Sequence, residues 1–284
     1  MFHIIFENDN GKIDMGGGQS DIYKIRAIDG LGLSGKAYTT VSYAGVAGQE
    51  TVLCTPNART ITIAGDILGY DSLQYRISRA LAVFDAPCVM RVYFGNRRRK
   101  ITCNQASFEL GERDRQYARF TLQLVCDNPY FSAFDEAVEQ VYHAYNLLGE
   151  SFTLPTMFSR RVTRCDVDNP GDQQTEPVIS IQYRGDTGHT KTEEGIVVQN
   201  YTTGQRIKLA CTVEEDETIT IDIPDRTVTS NINGNLLGKL TSESYLSDFW
   251  LSPGVNDVGV TNLDESVEIT ASIRFAAYYR EAVY

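Results

Sequence analysis

Three histidines, His3, His143 and His189, are the first residues to test for chemistry, and none shares a motif with another. A zinc protease would set two of them as H-E-x-x-H on one helix face. That spacing is absent, as are a G-x-S-x-G elbow and a Walker loop. His189 lies in Asp186-Thr187-Gly188-His189-Thr190, a turn tip that predicts an exposed imidazole. The six cysteines, Cys54, Cys88, Cys103, Cys126, Cys165 and Cys211, are far apart and form no C-x-x-C pair. Zinc ribbons and thioredoxin-like redox motifs are therefore not expected. Cys103 and Cys126 fall in strand-like runs, where a free thiol behaves as a small hydrophobe, and a reducing place of synthesis accounts for them.

Two further patterns imitate ligand sites. Gly30-Leu31-Gly32-Leu33-Ser34-Gly35 is a literal G-x-G-x-x-G after a strand-like run. A dinucleotide site also needs a helix to begin there, so that its first amides face the pyrophosphate. The next run is instead Ala37-Tyr38-Thr39-Thr40-Val41-Ser42-Tyr43, alternating and β-branched, so the glycines are a loop. Asn8-Asp9-Asn10-Gly11 has the acids of a calcium loop, but EF-hand spacing would put Phe6 where the first carboxylate belongs; it is a hairpin turn. Asn200-Tyr201-Thr202 fits a glycosylation sequon, which has no meaning without secretion. No two carboxylates stand out as an acid/base pair. The chain is read as no enzyme, with no cofactor and no metal.

What remains is surface. Arg97, Arg98, Arg99 and Lys100 cluster at what the pattern makes a hairpin tip, a basic patch for a protein interface or phosphate. Trp250, Tyr245 and Tyr201 are aromatic candidates for a stacking platform.

The elements that position these residues are mostly strands. Phe120-Thr121-Leu122-Gln123-Leu124-Val125-Cys126 alternates as a half-buried strand, and Asp127-Asn128-Pro129 stops it, because proline donates no ladder bond and restricts its predecessor. Phe2–Phe6, Ile22–Ile28, Thr51–Cys54, Thr60–Ala64, Val89–Phe94, Lys100–Cys103 and Phe108–Leu110 are further strands of a first domain. Gly16-Gly17-Gly18 reads as a flexible connection. One helix is predicted over 72–84, capped by Asp71 or Ser72, with Leu73, Ile77, Ala80, Leu81 and Phe84 on its apolar face. Residues 135–150 are weakly helical or a linker. From Ser151 on, short strands recur between turn signals with no helix among them: 177–183, 195–199, 205–210, 218–223, 227–230 and 266–275. That spacing predicts an antiparallel sandwich or jelly roll. The expected architecture is mainly β: a first domain over 1–134 with a β-sandwich and one helix, and a second over 151–284.

Composition agrees with two units. The 284 residues exceed one usual domain, and 42% hydrophobic with 22% charged content is ordinary for a globular chain. Residues 1–143 carry 15 Lys/Arg against 16 Asp/Glu, a net of −1, and residues 144–284 carry 11 against 21, a net of −10. The acidic second half argues against gripping a nucleic-acid backbone. Met1-Phe2-His3-Ile4-Ile5-Phe6 has no basic leader, so no signal peptide is expected, and no apolar run approaches the length of a membrane span.

Taken in order, several of these stretches resemble one family, the distal tail proteins of long-tailed phages and prophages. In the first half the resemblance lies in the helix with Ser78-Arg79-Ala80-Leu81, the hairpin after it, and Cys126-Asp127-Asn128-Pro129-Tyr130-Phe131, similar to a C-x-D-P-Y-F stop with Asn128 added. In the second half it lies in Val167-Asp168-Asn169-Pro170-Gly171-Asp172 and then Glu176-Pro177-Val178-Ile179-Ser180-Ile181. Asn200-Tyr201-Thr202-Thr203-Gly204-Gln205, Asn231-Ile232-Asn233-Gly234-Asn235 and Phe249-Trp250-Leu251-Ser252-Pro253-Gly254-Val255-Asn256 continue it. The resemblance implies a homohexameric ring at the virion tail tip, built by N-terminal domains, with a galectin-like sandwich on its periphery. Its implied partners are copies of itself, the tail tube protein and the tail-tip hub or tail-associated lysin, with no membrane and no sequence-specific nucleic acid. Such a ring leaves a channel for the genome and is made in the cytoplasm of the bacterial host. The competing reading makes the second domain a carbohydrate-binding module for host-wall glycans.

Overall fold

The computed structural model describes residues 2–16, 22–69, 72–146, 159–183, 195–262 and 269–282. The chain forms two compact units, Met1–Phe134 with Tyr278–Tyr284, and Asp135–Ala277. The expected turn at His189, the connection at Gly17 and Gly18, the cap residue Asp71 and the stretch Ser151–Pro155 lie outside the described residues.

The first unit contains β1 (Phe2–Asn8), β2 (Gly11–Met15), β3 (Tyr23–Asp29), β4 (Lys36–Val41), β5 (Glu50–Pro56), β6 (Arg59–Leu68), α1 (Leu73–Phe84), β7 (Cys88–Phe94), β8 (Arg97–Cys103), β9 (Gln105–Arg113), β10 (Tyr117–Cys126) and β11 (Phe131–Ala133). One ten-stranded sheet holds most of it, in the order Tyr278–Tyr279, β11, β8, β7, β1, β2, β3, β6, β10, β9. The sheet curls around a single core, so that β8 and β10, distant in strand order, bring Cys103 Sγ and Cys126 Sγ to 3.5 Å. β10 shows why alternation is a strong signal: Phe120, Leu122, Leu124 and Cys126 are all buried, while Thr121 and Gln123 face out.

α1 covers this core. Phe84 meets Phe6 edge-on at 5.2 Å and stacks with Phe108 at 5.5 Å, and Phe108 stacks in turn on Phe120 at 5.3 Å. The helix buries Leu73, Ile77, Ala80, Val83 and Phe84, whereas Leu81, expected on the apolar face, is 44% exposed. Ser72 occupies the N-cap position without a side-chain capping bond. At the other end the Asn8–Gly11 turn supplies what the last carbonyls need: Asn8 Nδ2 donates to Val83 O at 2.7 Å and Asn10 Nδ2 to Ala82 O at 2.9 Å. The turn that imitated a calcium loop is a helix stop.

The second unit contains β12 (Ala137–Asn146), β13 (Ser159–Val162), β14 (Arg164–Asn169), β15 (Val178–Tyr183), β16 (Ile196–Asn200), β17 (Gln205–Leu209), β18 (Thr218–Asp222), β19 (Thr227–Ser230), β20 (Gly234–Asn235), β21 (Gly254–Asn262) and β22 (Ile269–Phe275). A seven-stranded sheet, β13-β12-β22-β15-β18-β19-β20, shares one core with a four-stranded sheet, β14-β21-β16-β17. Every pairing in both is antiparallel among the described residues. Ile179, Ile181 and Tyr183 of one sheet and Ile196, Val198 and Ile207 of the other fill the space between, as an aligned sandwich requires.

Three boundaries differ from the sequence reading. Residues 137–146, expected to be helical or a linker, are β12, paired with β22 through Ala137↔Phe275 and Glu139↔Ile273. The hairpin turn after β7 is Gly95-Asn96, with Phe94 paired to Arg97, so the arginines belong to β8 and not to a tip. And Tyr278–Tyr279 leaves the second unit to pair with Phe131 and Ser132 of the first. Residues 137–146 and 278–279 pair with partners far off in the chain and so carry no local signature, whereas the arginines differ only because the turn between β7 and β8 is two residues long.

Candidate functional site

Bringing the basic residues onto β8 changes what they do. Arg99 lays its guanidinium 3.4 Å from the centre of the Tyr279 ring, Lys100 Nζ donates to Phe134 O at 2.9 Å, and Arg97 Nη1 stands 3.8 Å from Glu281 Oε1. These three anchor β11 and the returning Tyr278–Tyr279 strand. Arg98 is exposed and, alone of the four, has no partner among the described residues.

A second anchor was invisible in the sequence. Arg59 is 2% exposed and donates at 2.6 Å to four backbone carbonyls: Pro129 from Nε, Gly30 and Gly32 from Nη1, and Arg280 from Nη2. Its guanidinium also lies 4.6 Å from the centre of the Phe131 ring. Burial lowers its pKa from the ordinary arginine value. The G-x-G-x-x-G loop thus serves this cation, and Gly30 is required there: its φ is +89° and a Cβ would come 2.2 Å from Thr60 O.

The first unit also presents an uncovered strand pair. Among the described residues β4 and β5 pair only with each other, and every residue in both is exposed. Tyr38 at 62% exposure, with Val41, Val52 and Leu53, lies on this ribbon, and Tyr43 and Val46 lie in the loop between its strands. Elsewhere in this unit, Phe2, Ile28, Gly30, Leu31 and Phe94 line a cleft of about 460 Å³.

In the second unit the aromatic candidates separate. Trp250 is half-buried between the buried Phe249 and Leu251. Tyr201 is covered by the Arg164 guanidinium, 3.8 Å from its ring centre, which Asp257 clamps through Nε at 3.0 Å. Tyr245 is 61% exposed and lines a polar pocket of about 340 Å³ with Gln205, Arg206, Thr241, Glu243 and Asp248. The motif asparagines, by contrast, are fully buried and hold turns. Asn169 donates to Gln173 O at 2.9 Å and Leu251 O at 3.3 Å. Asn200 Nδ2 donates to Trp250 O at 3.0 Å, which removes it as a glycan acceptor, and Asn256 Nδ2 donates to Ser252 O at 2.7 Å. Asn169 and Asn200 also accept the N–H of the residue two places on, the Asx arrangement that asparagine favours, whereas Asn256 Oδ1 accepts from Ser252 N, four residues before it.

Residues 170–279 match the family model described as siphovirus-type tail component, C-terminal domain. No curated protein sequence matches the chain. Among solved structures, the chain is similar to the Dit (gp 19.1) protein of phage SPP1, described as a paradigm of the hub adsorption apparatus of phages that infect Gram-positive hosts. The identity is 14%, the coverage 98% of this chain and 99% of that one, and the TM-score 0.70. Chains of the phage P2 baseplate in its activated conformation match over 96% of this chain, at 12% identity and TM-score 0.43 with Ca and at 11% and 0.44 with Sr, covering 97% and 98% of those chains. The buried Asn200 and Asn256 therefore lie within the stretch that matches a siphovirus-type tail component C-terminal domain, with Asn169 one residue before it, on a chain whose fold is similar to that of SPP1 Dit, and the resemblance to siphophage distal tail proteins holds.

Proposed function

We propose that this chain is a structural hub of a siphophage tail tip. Six copies close a ring through their first units, joining the tail tube protein on one side to the tail-tip hub or tail-associated lysin on the other. A central channel lets the genome pass, and the chain is made in the bacterial cytoplasm before joining the virion. The family match and the Dit-like fold support a tail-hub role, and the six-fold number comes from the resemblance.

The observation that carries assembly is the uncovered β4–β5 ribbon. A two-stranded ribbon packed on no other strand among the described residues is only marginally stable alone, and Tyr38, Val41, Val52 and Leu53 lie exposed on it. A ring of identical copies also needs two unlike, complementary surfaces on each copy, and this reading assigns those roles to the ribbon and to the cleft between Phe2 and Phe94. Arg98, the one unpartnered cation of its cluster among the described residues, is the basic residue left to meet a partner. Light scattering after size exclusion, with negative-stain images, tests this directly. The expected product is a hexamer-sized particle with a central hole, alone or on added tail tube protein. Leu53→Lys with Tyr38→Lys is expected to leave monomers, and Arg98→Ser to weaken partner binding. Cys54, the exposed thiol on β5, is expected to be shielded from a maleimide once the ring forms. Monomers under all conditions, or rings unaffected by the double ribbon variant, would reject the reading.

A further inference from the structure

We propose that the second unit carries a saccharide-binding site in the pocket under Tyr245. The pocket lies between the turn that enters β17 and the loop from Thr241 to Asp248, and its roughly 340 Å³ is within the range of small-ligand sites. Its floor is preorganised. Gln205 Oε1 accepts from Trp250 N at 3.1 Å and from Thr203 Oγ1 at 2.7 Å. A backbone N–H only donates, so this contact fixes which end of the amide is oxygen. Gln205 Nε2 is thereby left buried with no partner in the protein, an orphaned donor in a residue that lines the pocket. The loop is pinned as well: Ser244 Oγ takes the Lys208 N–H at 2.8 Å and lies 2.9 Å from Thr241 Oγ1.

The lining selects the chemistry. Glu243 and Asp248 set two acceptors against the single cation Arg206, a balance that disfavours phosphate or any other anion. No group of three or more metal-ligating side chains occurs among the described residues. A polar lining gives little to an apolar ligand. A neutral sugar matches every part: hydroxyl donors for the carboxylates, hydroxyl acceptors for the Gln205 amide and Arg206, and a C–H face for the Tyr245 ring. The inference stands apart from the hub reading, since ring assembly uses the first unit.

The test titrates the full chain with neutral tetrasaccharides (chitotetraose, cellotetraose and maltotetraose) at millimolar concentration. Saturation-transfer NMR reads the sugar, and fluorescence reads Trp250, whose backbone N–H rests on Gln205 and which is the single tryptophan of the chain. At least one sugar is expected to bind. Tyr245→Ala is expected to weaken it about tenfold, the order of one aromatic contact. Gln205→Glu keeps the acceptor for Trp250 N but deletes the orphaned donor and adds a carboxylate near Glu243 and Asp248, so it is expected to weaken binding, with binding measured well below its melting temperature so that any loss of stability is separated from the loss of the donor. Ring assembly measured on both variants separates this result from the hub reading. The proposal is overturned if none of the three sugars binds, if both variants bind as the parent does, or if another tail protein covers Tyr245.

Discussion

Single residues decide more here than their visibility in the sequence suggests. Arg59 reads in the sequence as an ordinary polar residue at the start of a strand, yet it holds four carbonyls from three separate segments. Arg59→Ala strands those acceptors in a dry site, so a loss of about 3 kcal/mol is expected in denaturant melts, and Arg59→Lys is expected to recover only part. Cys165 offers a pH test. Burial first, then Glu139 and neighbouring aspartates, push its thiol from 9.0 up to about 11. The folded state therefore keeps a proton that the unfolded chain gives up, so stability falls between pH 9.0 and about 11. Cys165→Ala is expected to flatten that part of the difference curve. The aromatic candidates were legible as residue types, but only packing could separate Tyr245 from Tyr201 and Trp250. Nothing in a sequence says which ring face an arginine covers.

Elements were readable where one face is buried and the other wet. β10, β15 and β18 announced themselves by alternation because a sheet face toward a core enforces a two-residue period. β12 and β21 did not, since they lack that clean alternation and take their place from ladder partners far off in the chain, as in Ala137↔Phe275 and Asn169↔Gly254. In α1 the period was right and its phase slightly off: the buried face centres on Val83 rather than Leu81, since Phe84 turns toward Phe6 and Phe108. Paired substitutions check this. Val83→Asp is expected to unfold the unit or cost about 3 kcal/mol or more, and Leu81→Asp about 0.5 kcal/mol or less, by thermal melts of the two variants.

For the whole molecule, two units of unlike charge were evident from composition, but their connection was not. The second unit interrupts the first: the chain leaves after Phe134, builds a complete sandwich, and comes back at Tyr278 to pair with β11. Removing residues 135–277 and joining the cut ends by a short turn is expected to give a cooperatively melting protein with the first unit's circular dichroism. The same connection sets an order of events during synthesis. The ribosome has finished the entire sandwich before it delivers Arg280, whose carbonyl completes the cage around Arg59, and Tyr279, which covers Arg99. A first unit still waiting on the ribosome lacks its closing strand and one of the four carbonyls that hold Arg59. Translation itself thus holds back completion of the first unit until the second has been made.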